Sequence, residues 1–405
     1  MRFDVDAIRA EFPILQRQVH GRPLVYFDNA ASVQKPQKVI DCINHTLTQS
    51  YANVHRGLHT LSNEATERYE QARKICASYL GVDDGEIIFT MGGTDAINLV
   101  SYSWGMENIN EGDEIILSVM EHHSNIVPWH FLRERKGAVL KWLTVDDDGA
   151  IDMDQYQSLL GPKTKLVAIT GLSNVLGAAP DIKTMADMAH GVGAKILVDG
   201  CQKSVHGPVD VKALGADFYI MTGHKIYGPS GIGVVYGQRA LLQDMAPYRG
   251  GGEMIDCVTQ DIVTYNDPPH RFEAGTPPIM EAIALGAALE WVMGQDIEGL
   301  QVHEKALTDY AMDALSGLNW ISLYGRAPDK GPVIAFNIDG AHPHDVSTIV
   351  DQMGVALRAG HHCCQPLMQH MEVSATVRAS FAAYNTQSEI DIFIEAMHKV
   401  RNLLS

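Results

Sequence analysis

Lys225 and Asp199 hold the most suggestive chemistry in this 405-residue chain, 26 positions apart. Asp199 ends the apolar run Ile196-Leu197-Val198, and Lys225 lies in Thr222-Gly223-His224-Lys225-Ile226-Tyr227-Gly228-Pro229-Ser230-Gly231, a segment with a glycine-rich exit. Pyridoxal phosphate needs a lysine amine for attachment, a carboxylate that keeps its ring nitrogen protonated, and donors around its phosphate. Lys225, Asp199 and the flanking Thr222 and His224 supply all three. Taken singly, Lys225 also fits a solvated lysine between strands and Asp199 a helix cap; their spacing favours the cofactor. A second string, Arg358-Ala359-Gly360-His361-His362-Cys363-Cys364-Gln365-Pro366, adds a candidate thiol nucleophile. A guanidinium and two imidazoles within reach would raise its thiolate share.

The elements around these residues alternate. Ile87 to Thr90, Glu114 to Met120, Leu166 to Thr170, Lys195 to Val198, Phe218 to Thr222 and Ile232 to Tyr236 read as short strands. Helical patterns follow from Gly93 to Trp104, Ile126 to Lys136 and Ile182 to His190. Such alternation predicts an α/β fold with a mostly parallel sheet, helices on both faces, and ligands at the strand ends. Gly92-Gly93-Thr94 sits between a strand and a helix, where free N–H groups favour a phosphate, although for three small residues alone a plain turn is the better reading. No Gly-x-Gly-x-x-Gly opens a helix near the first strands, so a dinucleotide site is not supported.

The last third reads as α+β, with strands at Val333 to Ile338, Val355 to Arg358 and Val377 to Tyr384 among helices at Glu281 to Met293 and Ser388 to Leu404. Two domains are expected: a large one over 21–264, and a smaller one built from 1–20 and 265–405. Arg249 to Pro269 reads as a long ordered loop.

A formal charge of −18 and a sequence pI near 5.4 argue against nucleic acid or an anionic membrane as partners. No apolar run is long enough to span a bilayer, and the acidic start Met1-Arg2-Phe3-Asp4-Val5-Asp6 has no signal core, so a cytoplasmic protein is expected. The six cysteines lack a Cys-x-x-Cys pattern, so reduced thiols are the default and no metal site is assigned. Cys42 and Cys76 fit helical packing positions. His361 to Cys364 are adjacent, and adjacent side chains seldom form a tetrahedral ligand set.

Seven motifs in order make the chain resemble, nearly end to end, the pyridoxal-phosphate-dependent cysteine desulfurases, specifically their second group of SUF-type desulfurases and selenocysteine lyases. They are Asp28 to Ser32, His55 to Thr60, Met120 to Trp129, Ser173 to Gly177, the lysine segment, Arg271 to Pro277, and Arg358 to Cys363. The resemblance implies an aspartate aminotransferase-like fold, with a large cofactor domain, a small domain and a homodimer. It assigns Thr94, Thr222 and His224 to the phosphate, with Thr276 reaching that phosphate across the dimer. Asp199 matches the partner of the ring nitrogen, Gln202 that of the phenolic oxygen, and Asn174 a residue near the same oxygen and the substrate. His122 matches the imidazole that stacks on the ring and moves protons. His123 reads as a packed or hydrogen-bonded residue. Arg378 matches the grip on the substrate carboxylate, and an unpaired guanidinium in its apolar strand would in any case need an anionic partner. Arg358 is a second candidate near the nucleophile, or holds its loop. His55 and Arg56 match a segment at the active-site edge.

What this implies is removal of sulfur from L-cysteine to leave L-alanine, with Lys225 as base and Cys363 receiving the sulfur as a persulfide. The sulfur would pass to a SufE-like or SufU-like acceptor for iron–sulfur cluster assembly. L-Selenocysteine is the alternative substrate, an aminotransferase the alternative reaction, and a sulfur or metal carrier without pyridoxal chemistry the alternative class. Cys364 departs from the family, which usually has alanine there. On an extended segment the neighbouring thiols would project oppositely, so only Cys363 would face the substrate.

Overall fold

The computed structural model describes residues 3–327 and 330–404. Seven strands form its main sheet: β1 (Ile87–Thr90), β2 (Glu114–Ser118), β3 (Val139–Leu143), β4 (Thr164–Thr170), β5 (Lys195–Asp199), β6 (Phe218–Thr222) and β7 (Gly233–Gly237). Their spatial order is β1-β7-β6-β5-β4-β2-β3, parallel except for β7, which runs against both neighbours. Strands of a two-sided parallel sheet are buried on both faces, so they read as continuous apolar runs rather than alternating ones. Along β4, Val167 and Ile169 join one core while Leu166 and Ala168 join the other.

A second sheet is wholly antiparallel, in the order Ile321–Tyr324, Val333–Ile338, Thr376–Ser380, Arg358–Gly360. With the helices Ile297–Ser316, Pro343–Asp351 and Gln387–Leu404 it encloses a separate core around Phe336, Val377 and Phe393. Val25 and Phe27 belong to this core as well. Asp28 forms an isolated bridge with Ser380, which brings the N-terminal segment to the mouth between the two sheets.

Three expectations change. Arg249 to Pro269 contains an antiparallel hairpin, Ile255–Val258 with Val263–Tyr265. Its residues are mostly exposed on both faces, so no burial period marked it in the sequence. The run Val355 to Arg358 splits: Val355–Ala356 pairs in parallel with Val25–Tyr26, whereas Arg358–Gly360 joins the second sheet. The expected boundary at 264/265 also divides elements that pack together. The helix Ile279–Met293 is buried on nearly every side in the large core against Thr60–Leu80 and Gln37–Gln49, and Ile8, Phe12 and Leu15 lie in that core too. An apolar helix without a polar face reports burial but not which core receives it.

No helix among the described residues is long and apolar enough to cross a membrane.

Gly233 shows how closely the sheet supports the ligand-facing loops. A Cβ there would lie 2.4 Å from the carbonyl carbon of Gly92. Gly233→Ala is expected to destabilise the protein by about 1–3 kcal/mol through overpacking, read as a lower urea midpoint. An unchanged midpoint would mean that the Gly92 loop yields freely.

Candidate active site

The C-terminal ends of β4, β5 and β6 open into a cavity of about 350 Å³. Thr94, His122, Asn174, Asp199, Gln202, Thr222, His224, Lys225, Arg358, Cys363 and Arg378 all line it. Thr276 does not: it borders a separate depression with Met91, Asp95 and Arg249. An adjoining groove shares Met91, Asp95 and Arg249, and reaches Thr94 and His224.

Asp199 lies at the tip of β5, buried, with Oδ1 accepting the Cys201 N–H at 3.0 Å. Gln202 is fixed by donating from Nε2 to the Ala30 carbonyl at 2.7 Å. Between β1 and the helix Gly93–Val100, Gly92 adopts φ +150°, a conformation suited to glycine. At Gly93 a Cβ would come within 2.7 Å of Cys201 Sγ, so the backbone there approaches the cavity more closely than a side chain permits. The helix terminus, Thr94, Thr222 and His224 all border the cavity, and a cradle of such donors suits an anion. A carboxylate, a lysine amine and this cradle around one cavity fit pyridoxal phosphate.

His122 Nδ1 accepts the Ser124 N–H at 3.2 Å. Burial, with the charge of Lys225, pushes this imidazole down to about 4, so it is neutral near pH 7. His224 is held at about 4 for the same two reasons. Its carbonyl accepts Lys35 Nζ at 2.9 Å and Ser32 Oγ at 3.1 Å, which ties the Lys225 turn to the N-terminal segment. Burial lowers Lys35 to about 8.

Arg358 and Arg378 face each other across two antiparallel strands. Like charges in that position repel, and Asp28 lies between them. Its carboxylate takes Arg358 Nε at 3.0 Å and Nη2 at 2.9 Å, and Arg378 Nη2 at 3.2 Å. Arg378 is 2% exposed and donates from Nη1 to the Asn174 carbonyl at 3.0 Å, while its Nε has no partner in the described structure. Burial brings Arg378 down to about 10, which leaves it cationic near pH 7. A buried, positively charged side chain with one N–H unpaired beside a cavity suits a carboxylate ligand. Arg358 is half exposed and engaged by Asp28, which suits holding the loop.

The adjacent thiols diverge. Cys363 is exposed and borders the cavity, whereas Cys364 is fully buried beside Val119, Leu367 and Met368, with Sγ 3.6 Å from the Val119 carbonyl. Burial raises the Cys364 thiol well above its ordinary range. The divergence does not arise from extended backbone, as expected, because His362 and Cys363 have φ of +53° and +54°. Two left-handed residues turn the chain, and its neighbours hold the turn. The Asn174 amide donates to the His362 carbonyl at 2.8 Å, His362 Nε2 meets Thr376 Oγ1 at 2.9 Å, and the His123 N–H donates to the Cys363 carbonyl at 2.7 Å. His123 also accepts the Gln365 N–H at 3.1 Å, so it is a hydrogen-bonded residue of this loop.

Sequence reasoning assigned no role to Asp28, Lys35, Ser124 or Glu121. Glu121 is buried behind His122, where it accepts the Thr170 N–H at 3.0 Å and the Asn125 amide at 2.6 Å, and burial pushes it up to about 8. Asp28, Glu121 and Ser124 lie inside recognisable motifs, Asp28 to Ser32 and Met120 to Trp129, but Lys35 does not, and folding is what brings Asp28, Lys35 and Glu121 to partners from distant segments.

The family described as aminotransferase class-V matches residues 25–393. Over 406 residues the chain is 48% identical to a cysteine desulfurase of Klebsiella pneumoniae subsp. pneumoniae, with 100% of both proteins covered. It is 46% identical over 399 residues to a probable cysteine desulfurase 1 of Mycobacterium leprae, of which it spans 65% of the length. The crystal structure of the cysteine desulfurase CsdA, S-sulfonic acid, from Escherichia coli matches with a TM-score of 0.93, 39% identity and 100% coverage of both chains.

The buried histidines give the protein a pH signature. His122, His224 and His362 fall to about 4, about 4 and about 3, each chiefly through burial, against about 6.5 when unfolded. Below pH 6.5 the unfolded chain therefore binds more protons, and stability is lost as pH falls towards 4. Glu121, raised above its unfolded value, acts oppositely but is one group against three. The melting temperature of the cofactor-free protein is expected to drop between about pH 6.5 and 4; a flat profile would contradict burial of neutral imidazoles.

Proposed function

The chain belongs to the class-V aminotransferase family, among its pyridoxal-phosphate-dependent cysteine desulfurases, and we propose that it converts L-cysteine to L-alanine with the sulfur left as a persulfide on Cys363. The observation that carries this reading is that Lys225, Asp199 and Cys363 border one cavity and that the Cys363 thiol is exposed.

Pyridoxal phosphate, when bound, withdraws electrons from the substrate α-carbon and so weakens the bond between Cβ and sulfur. Asp199 provides the negative charge that keeps a proton on the ring nitrogen, and Gln202 is positioned for the phenolic oxygen. Thr94, Thr222, His224 and the N–H groups at Gly93 receive the phosphate, joined by Thr276 across a homodimer. Neutral His122 offers a ring face for stacking and a nitrogen for moving protons. Arg378 grips the substrate carboxylate through its unpartnered Nε, with Asn174 alongside. Lys225 Nζ takes the proton from the α-carbon. Cys363 Sγ, as thiolate, attacks the substrate sulfur: the new S–S bond forms, the Cβ–S bond breaks, and the electron pair left on carbon is protonated to give alanine. One cysteine and one enzyme thiol become one alanine and one persulfide, with no external redox partner.

The short Arg-x-Gly-His-His-Cys loop supports a second-group, SUF-type enzyme. Its held backbone suits direct transfer to a docked SufE-like or SufU-like protein, which would supply sulfur for iron–sulfur clusters in the cytoplasm. Mass spectrometry after incubation with L-cysteine tests the reading, through the position of the persulfide and the formation of alanine without a keto acid.

Cys363→Ala is expected to remain yellow with bound cofactor yet form no persulfide, while Cys364→Ala keeps turnover. A persulfide mapped to Cys364, with activity retained in Cys363→Ala, would reverse the assignment. For Arg378→Ala, loss of a charged hydrogen bond of about 1.5–3 kcal/mol predicts a fall of about 10- to 150-fold in kcat/KM for cysteine. Unchanged efficiency in a folded variant would transfer the carboxylate grip to Arg358.

A further inference from the structure

We propose that His55, Glu70 and His270 form a binding site for a divalent transition-metal ion of the zinc class. These residues lie far apart in sequence, and three separate elements bring them together. His55 sits in a loop at φ +69°, with its N–H held by Thr66 Oγ1 at 2.8 Å. Glu70 lies on the helix Thr60–Leu80, and His270 opens the turn His270–Phe272. One ligand atom from each falls within 4.8 Å of the other two. Tetrahedral coordination at about 2.0–2.2 Å places ligand atoms about 3.4 Å apart. Two imidazoles and one carboxylate, with a fourth position left for water, are a donor set that zinc accepts.

The surroundings orient these donors. Glu70 Oε2 accepts Arg73 Nε at 2.8 Å, and Oε1 faces His55 Nε2 at 2.9 Å while also accepting Arg73 Nη2 at 3.3 Å. The Arg73 charge is met by Glu273, at 2.7 Å from Nη1 and 2.9 Å from Nη2, so it does not oppose a cation unbalanced. On the other side of His55, Nδ1 lies 3.9 Å from Glu253 Oε2, and Glu253 Oε1 is held by Arg56 Nε at 3.0 Å. The His55 and His270 rings meet at 76° with centroids 5.4 Å apart, so they converge from different directions.

The test uses holoenzyme carrying Cys363→Ala, so that the active-site thiol does not capture the ion, stripped with chelator and titrated with Co²⁺. The site predicts one Co²⁺ per chain with visible d–d bands, displacement by Zn²⁺, and affinity at least about ten-fold weaker when His270→Ala is added. Retained cofactor colour and circular dichroism show that the His270→Ala protein is folded, and Glu70→Gln gives a second, independent loss. The proposal is overturned by the absence of stoichiometric binding or by affinity unchanged in His270→Ala. Thiolate-to-cobalt charge-transfer bands, which would move the metal to exposed Cys257, overturn it as well.

Discussion

The carboxylate of Asp28, set between the guanidinium groups of Arg358 and Arg378, is the contact on which the site geometry depends. The two arginines are direct cross-strand partners, one buried and one half exposed. Without an anion between them they would repel, and the buried one would bear an uncompensated charge. Asp28 resolves both problems and fastens the N-terminal segment to the second sheet. Ala30 and Ser32, which follow it, then contact Gln202 and the turn that carries Lys225. One ion pair thus connects buried Arg378, the thiol loop and the cavity wall that Gln202 lines.

Local backbone geometry separates two chemically identical thiols. Left-handed conformations at His362 and Cys363 are unfavourable for residues with a Cβ, and they persist because the surrounding hydrogen bonds over-determine them. Cys364 is drawn into an apolar pocket, where its thiolate is disfavoured. Of the two thiols, Cys363 is the one that borders the cavity.

Burial also decides which charges act in the site. The imidazoles of His122, His224 and His362 stay neutral because desolvation and neighbouring cations both oppose protonation. They can accept hydrogen bonds and present ring faces without adding positive charge. Arg378 remains the buried cation available to a carboxylate, in a setting where an ion pair is stronger than in water.

Much of this was legible in the amino-acid order. Asp199 at the end of an apolar run, Lys225 in its glycine-flanked segment and the alternation of strand and helix indicate a parallel sheet with a ligand at its strand ends, because side-chain periodicity and turn chemistry are local properties. Cys363 was marked as a candidate nucleophile by its neighbours and by resemblance. Tertiary structure decided the rest. It gave the helix Ile279–Met293 to the large core, since an all-apolar helix does not specify its partner. It brought Asp28 to Arg378 across 350 residues and His270 to His55, since contacts between distant segments leave no period in the sequence. It also turned Cys363 outward through two positive φ angles, a torsional choice fixed by hydrogen bonds from other elements and not by the residues that adopt it.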